Sequence, residues 1–234
     1  MKKKINQKLI DLIEYYNLIN ANFLLSNSPL KRNTSDSIYS FSGAKSQRLE
    51  ELKKKIQLIE NCELKNNAKN LVFGDGNING KIMIIGEGPG ANEDEEGKPF
   101  VGRAGKLLDK MLVAIKLDRT KVYISNVVNY RPPANRKPTE TEIERYLPYL
   151  KSHIEIINPK ILVLLGSTAL NTLIGNEVVI SKARGKWMQK EIGIIKPWII
   201  ASFHPAFLMR QPEQKKLAWI DLKMIRDKYK ALKI

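Results

Sequence analysis

Four short, predominantly apolar runs, each followed by a loop and then by a helical pattern, constrain this chain more than any other feature. They are Lys81-Ile82-Met83-Ile84-Ile85, a run over 122–128, Ile161-Leu162-Val163-Leu164-Leu165 and a run over 198–203. A strand that is apolar at every position is buried on both faces, as in a parallel sheet covered by helices. Helical patterns fill the intervals at 103–116, from Thr139 onward, at 167–174 and at 213–231. Glu142, three residues after Thr139, completes a capping box, and Pro148 is expected to kink or interrupt the helix that follows. Residues 178–196 read as a hairpin-like segment. The expected fold is α/β, with a central four-stranded, mostly parallel sheet flanked by helices.

Two blocks divide the chain. Residues 1–60 read as an N-terminal helical extension. It has an amphipathic stretch at 5–25, a Ser-rich linker at 26–46 and a helix over about 45–61 with Leu49, Leu52, Ile56 and Ile59 on one face. Residues 61–234 carry the strand–helix rhythm and read as one catalytic domain. The net charge of +16 points to a polyanionic partner, nucleic acid being the common one. No apolar run is long enough to span a membrane, and Asp11 and Glu14 make the N-terminus a poor signal peptide. Cys62 is the only cysteine, so no intramolecular disulfide can form. A cytoplasmic monomer is expected.

In such sheets ligands bind at the carboxyl ends of the strands. The first strand ends at Glu87 and opens a long loop, Gly86 to Gly105. That loop fits neither the dinucleotide nor the Walker pattern, and Glu93, Asp94, Glu95 and Glu96 would repel a polyphosphate. The second strand carries Asn126 and runs into Arg131-Pro132-Pro133-Ala134-Asn135-Arg136-Lys137-Pro138, the third ends at Gly166-Ser167, and the fourth at His204. With only two histidines, this set builds neither a Ser-His-Asp triad nor a zinc site. It does suit a flat heterocycle. Phe100 offers a ring for stacking, and Asn126 offers one donor and one acceptor that match the N3–H and O4 edge of uracil. His204 can hydrogen-bond an oxygen on which negative charge develops.

These residues carry a resemblance. From about Cys62 to Lys230 the chain resembles the family-four uracil-DNA glycosylases. The likeness rests on Val72-Phe73-Gly74-Asp75-Gly76-Asn77, the Gly86–Gly105 loop, Asn126-Val127-Val128 with Arg131-Pro132-Pro133, and His204-Pro205-Ala206-Phe207-Leu208-Met209-Arg210. The resemblance implies hydrolytic release of uracil from DNA, the first step of base excision repair, by a monofunctional enzyme acting on a flipped-out base. It implies that Phe100 stacks on uracil, that Asn126 reads its edge beside the backbone of Gly88, and that His204 stabilises the departing uracil anion. Glu87 is expected to place the water or stabilise the sugar cation, and Glu93 to crowd C5 and exclude thymine. Which group activates water stays open, since Gly88 rather than an acid follows Glu87. The His204–Arg210 block resembles the loop that enters the duplex, with Leu208 or Met209 as the wedge. Arg131, Arg136, Lys137 and Arg210 are candidates for phosphate contacts.

The chain also departs from that family, whose members resemble one another in holding an iron–sulfur cluster on four cysteines. Here Cys62 matches the second, while Ile59, Tyr130 and Tyr146 stand at the other three positions. No iron–sulfur cluster and no other cofactor is expected, and an apolar, aromatic contact is expected to replace the metal staple. A related branch attaches covalently to DNA through a histidine after the second strand. The loop Arg131–Pro138 has none, so covalent trapping is not expected. The competing reading is a non-catalytic sensor that binds uracil-containing or damaged DNA.

Overall fold

A computed structural model describes residues 43–233. Among these residues six strands form one sheet: β1 (Asp75–Gly76), β2 (Ile82–Gly86), β3 (Val122–Asn126), β4 (Ile161–Leu165), β5 (Trp187–Gln189) and β6 (Trp198–Ser202), in the order β1-β3-β2-β4-β6-β5. The four inner strands are those expected, and they run parallel. Two short antiparallel strands at the edges were not expected. Residues 178–196 are therefore no simple hairpin. They hold a short helix, Ile180–Ala183, and the edge strand β5, which pairs with β6.

The inner strands β2, β3 and β4 are buried at every position, β3 including the polar Ser125 and Asn126. In chain order the larger helices are α1 (Lys45–Gln57), α2 (Arg103–Ala114), α3 (Glu140–Ile157) and α4 (Lys215–Ala231). One apolar cluster joins Met83, Ile85, Leu162 and Leu164 to α1 and α3. A second joins Ile82, Ile84, Val163 and Ile200 to α2 and α4. Alternate residues of each strand thus serve opposite layers. Leu49, Leu52 and Ile56 of α1 lie in the first cluster, so the last helix of the expected 1–60 extension contributes to the core. The amphipathic stretch at 5–25 lies outside the described residues.

Thr139 caps α3 as expected, accepting from the Glu142 N–H at 3.2 Å while Glu142 accepts the Thr139 N–H at 2.7 Å. Pro148 does not interrupt the helix, which runs unbroken from Glu140 to Ile157. On its inner face His153 stacks on Phe73 with ring centroids 4.3 Å apart and pairs with the Tyr123 hydroxyl at 3.0 Å, a structural role.

Ile59, Cys62, Tyr130 and Tyr146 are all buried in the first cluster. Cys62 Sγ lies 3.3 Å from the Tyr146 hydroxyl. Burial, and after it the Cys62 contact, pushes the Tyr146 phenol well above its ordinary range. Packing rather than the single polar contact dominates here. Tyr146→Phe is expected to cost about 1 kcal/mol, and Tyr146→Ala about 3–5 kcal/mol through the cavity it leaves. Urea denaturation of the two variants measures both.

Candidate active site

The carboxyl edge of the sheet gathers Glu87, Gly88, Glu93, Phe100, Asn126 and His204 around one pocket of ≈190 Å³. Register explains the first contact. Gly86 and Asn126 are direct partners across β2 and β3. A Cβ on Gly86 would lie 2.5 Å from both Asn126 Oδ1 and the Phe100 ring, so only glycine leaves room for that amide and that ring. Asn126 is buried, yet among the described residues its Oδ1 has no hydrogen-bond partner. An orphaned buried acceptor costs about 1–3 kcal/mol, and it is an opening for a ligand N–H.

The long loop is not all loop. Ala91–Glu96 forms a short helix, so the four carboxylates are spread around a helical turn rather than lined up along an extended segment. Glu93 closes this loop on itself, accepting the N–H of Gly90 at 3.1 Å and of Gly102 at 2.8 Å. Asp94 points inward and takes the backbone N–H of Lys69 and Asn70 at 2.9 and 3.0 Å. Phe100 follows in the left-handed region, at φ 55°. Its carbonyl would lie 1.7 Å from a Cβ on Gly105, which fixes glycine there too.

Two residues that support the site escaped the sequence reading. Arg119 donates to the carboxylates of Asp75 at 2.8 Å and Asp109 at 2.9 Å, to the Pro99 carbonyl at 3.0 Å, and to the Phe100 carbonyl. It therefore holds the unfavourable backbone at Phe100 in place. Thr168, just inside the helix Ser167–Leu173 that follows β4, donates its hydroxyl to Glu87 Oε2. No local motif marks either one, because their partners lie 10 to 81 residues away.

His204 is half-buried, with its ring centroid 5.5 Å from that of Phe100. Its Nδ1 accepts the Ala206 N–H at 3.2 Å. A nitrogen that accepts carries no proton, so the neutral ring bears its proton on Nε2. Burial lowers the His204 pKa to about 4 against the opposing pull of Glu87. At neutral pH the pocket thus holds an uncharged N–H donor.

The segment after His204 is a helix, Pro205–Arg210, rather than a loop, because Pro205 at its first position and His204 as its cap start one. Leu208 consequently turns inward and is 1 % exposed, in the second core cluster. It is not an exposed wedge; Met209 remains partly exposed and Arg210 exposed. Of the cations expected to meet phosphate, Arg136 is held by Glu142 in a two-pronged pair at 2.6 and 2.8 Å. Arg131 donates to Asn135 at 2.8 Å and lies 4.0 Å from Asp94. Lys137 is exposed.

The pattern of the uracil DNA glycosylase superfamily matches residues 73–223. The chain belongs to that superfamily. It is 42% identical over 187 residues to the type-4 uracil-DNA glycosylase of Sulfurisphaera tokodaii, covering 76% of this chain and 84% of that protein. It is 42% identical over 166 residues to the type-4 enzyme of Thermotoga maritima, covering 69% of this chain and 83% of that protein. With the type-4 enzyme of Archaeoglobus fulgidus it shares 38% over 183 residues, covering 76% of this chain and 92% of that protein.

The residues do not fit the cluster that a type-4 resemblance implies. Four thiolates are needed, and this chain has one. The side chains of Tyr130 and Tyr146 fill the space beside it. Among the described residues no group of three or more His, Cys, Asp or Glu is placed to hold a metal ion, and no helix is long and apolar enough to cross a membrane.

Both histidines are held neutral by burial, His153 at about 3 and His204 at about 4. Neither imidazole resonance should titrate near the ordinary value of about 6.5 in an NMR series. The unfolded chain takes up those protons below that value. The stability gained from the neutral rings is therefore complete above it and is lost as pH falls toward the folded values.

Proposed function

We propose that this protein hydrolyses the N-glycosidic bond of deoxyuridine in DNA, releasing free uracil from a nucleotide turned out of the helix. The orphaned Oδ1 of buried Asn126, beside Phe100 in a pocket of base-binding character, carries the reading. In it, the Phe100 ring stacks on uracil, worth about 1–3 kcal/mol. Asn126 Oδ1 accepts the N3–H, which cytosine lacks. The C1′–N1 bond breaks with its electron pair passing to the base. Charge develops on O2, and the Nε2–H of His204 hydrogen-bonds it there. A neutral donor suits an anion that leaves and is protonated afterward, since His204 need not give up its proton. Glu87, held by Thr168, faces the cation-like sugar or the water that adds to C1′. Glu93, tied to two backbone N–H groups, keeps the loop closed and flanks the C5 side. Met209 is the wedge of its pair, and of the four cations first considered Arg210 and Lys137 make no ion pair among the described residues.

The same reading has the enzyme working without iron. The buried contact of Ile59, Cys62, Tyr130 and Tyr146 joins the segment before β1 to the Pro-rich loop and to α3, the connection that a cluster would otherwise make. Protein purified without oxygen is expected to contain no stoichiometric iron and to show no visible absorption band. Turnover should be indifferent to a strong chelator.

The deciding assay uses oligonucleotides with one uracil, single-stranded or opposite Gly or Ala, with alkaline cleavage at the abasic site. Multiple turnover is expected. His204→Ala should lower kcat by about 10²–10³-fold with binding retained, as for loss of one oxyanion donor. Asn126→Asp should weaken selection of uracil, and Arg119→Met should raise the inhibition constant of free uracil by displacing Phe100. Uracil-dependent binding without release would instead establish a sensor.

A further inference from the structure

The cations that sequence favoured for DNA are partly committed to carboxylates, whereas an unassigned set is not. Arg103, Lys106 and Lys110 lie on α2 at a spacing of three and four residues, and so share one face. Lys215, at the start of α4, stands opposite them. Together with Leu107 and Met209 they line a groove of ≈250 Å³, and no carboxylate is among its described lining residues. All four cations are exposed, and among the described residues none makes an ion pair. The one acidic residue of that helix, Asp109, is taken by Arg119.

Residues lining this groove neighbour residues lining the base pocket. Ala104 lines the pocket while its neighbour Arg103 lines the groove. Ala206 lines the pocket while Met209, one turn later, lines the groove. From Arg103 to Lys110 the helix rises about 10 Å, the length of about three steps of one strand at 3.4 Å each. Four unpaired cations in one groove repel one another, and a polyanion relieves that repulsion.

We propose that the groove between α2 and α4 binds the phosphodiester backbone of the substrate DNA beside the extruded nucleotide. The proposal rests on the glycosylase reading for its substrate, and its test separates the two. Binding of undamaged duplex DNA is measured by fluorescence anisotropy across a salt series, on the full chain and on Lys106→Gln/Lys110→Gln. The expected result is a fall of about 2 in the slope of log K against log salt, since each phosphate neutralised contributes about 0.9. The control is Lys81→Gln/Lys160→Gln, which removes the same charge at the opposite, amino-terminal edge of β2 and β4 and should leave the slope unchanged. An unchanged slope in the groove variant, or an equal fall in the control, overturns the proposal. Uracil release by the unsubstituted protein is followed alongside. Its absence would defeat the glycosylase reading while leaving the groove's result standing.

Discussion

The site depends on a side chain that is missing. Gly86 sits opposite Asn126 in the sheet, and without a Cβ it leaves room for the Phe100 ring and the Asn126 amide. Everything else around the pocket keeps that three-way arrangement in register. The parallel pairing of β2 and β3 continues past their ends, where Val127 N–H donates to the Gly86 carbonyl at 3.0 Å and Val128 N–H to Glu87 at 3.2 Å. Glu93 ties the loop back on itself from one side, and Arg119 grips the Phe100 backbone from the other. An aromatic ring in an unfavourable backbone conformation is thereby fixed at the mouth of the sheet edge by the fold itself.

Much of this was legible in the sequence because the decisive residues end apolar runs. The strand Ile161–Leu165 was read residue for residue, being a continuous run bounded by Pro159-Lys160 and Gly166. Glu87 and His204 each follow such a run and Asn126 lies within the expected 122–128 strand, which the structure ends at Asn126, so a parallel sheet brings all three to one edge. The helix Ala91–Glu96 was not legible. It is six residues long and acidic, and what anchors it is Glu93 and Asp94 reaching backbone N–H groups elsewhere in the chain. The edge strands β1 and β5 are too short to leave a pattern. The burial of Leu208 was not legible either, since a helical turn begun at Pro205, in place of a loop, rotates it into the core.

The metal question follows the same logic of substitution. Where the type-4 resemblance implies a cluster, this chain buries two tyrosines, one cysteine and an isoleucine in one core cluster, with Cys62 against Tyr146. A cluster stabilises by coordinate bonds that depend on redox state and metal supply. A packed aromatic contact depends on neither, and it is exchanged for a dependence on shape, since interiors transmit changes of even one methylene.

The short edge strands have a consequence for how the molecule behaves in company. With two residues at one border and three at the other, the sheet presents few free rungs to another chain. Long bare borders invite sheet-to-sheet growth. Polyanions that crowd many basic copies along one strand would raise that hazard, and a sheet finished by such stubs gives neighbours on the same filament almost nothing to zip onto.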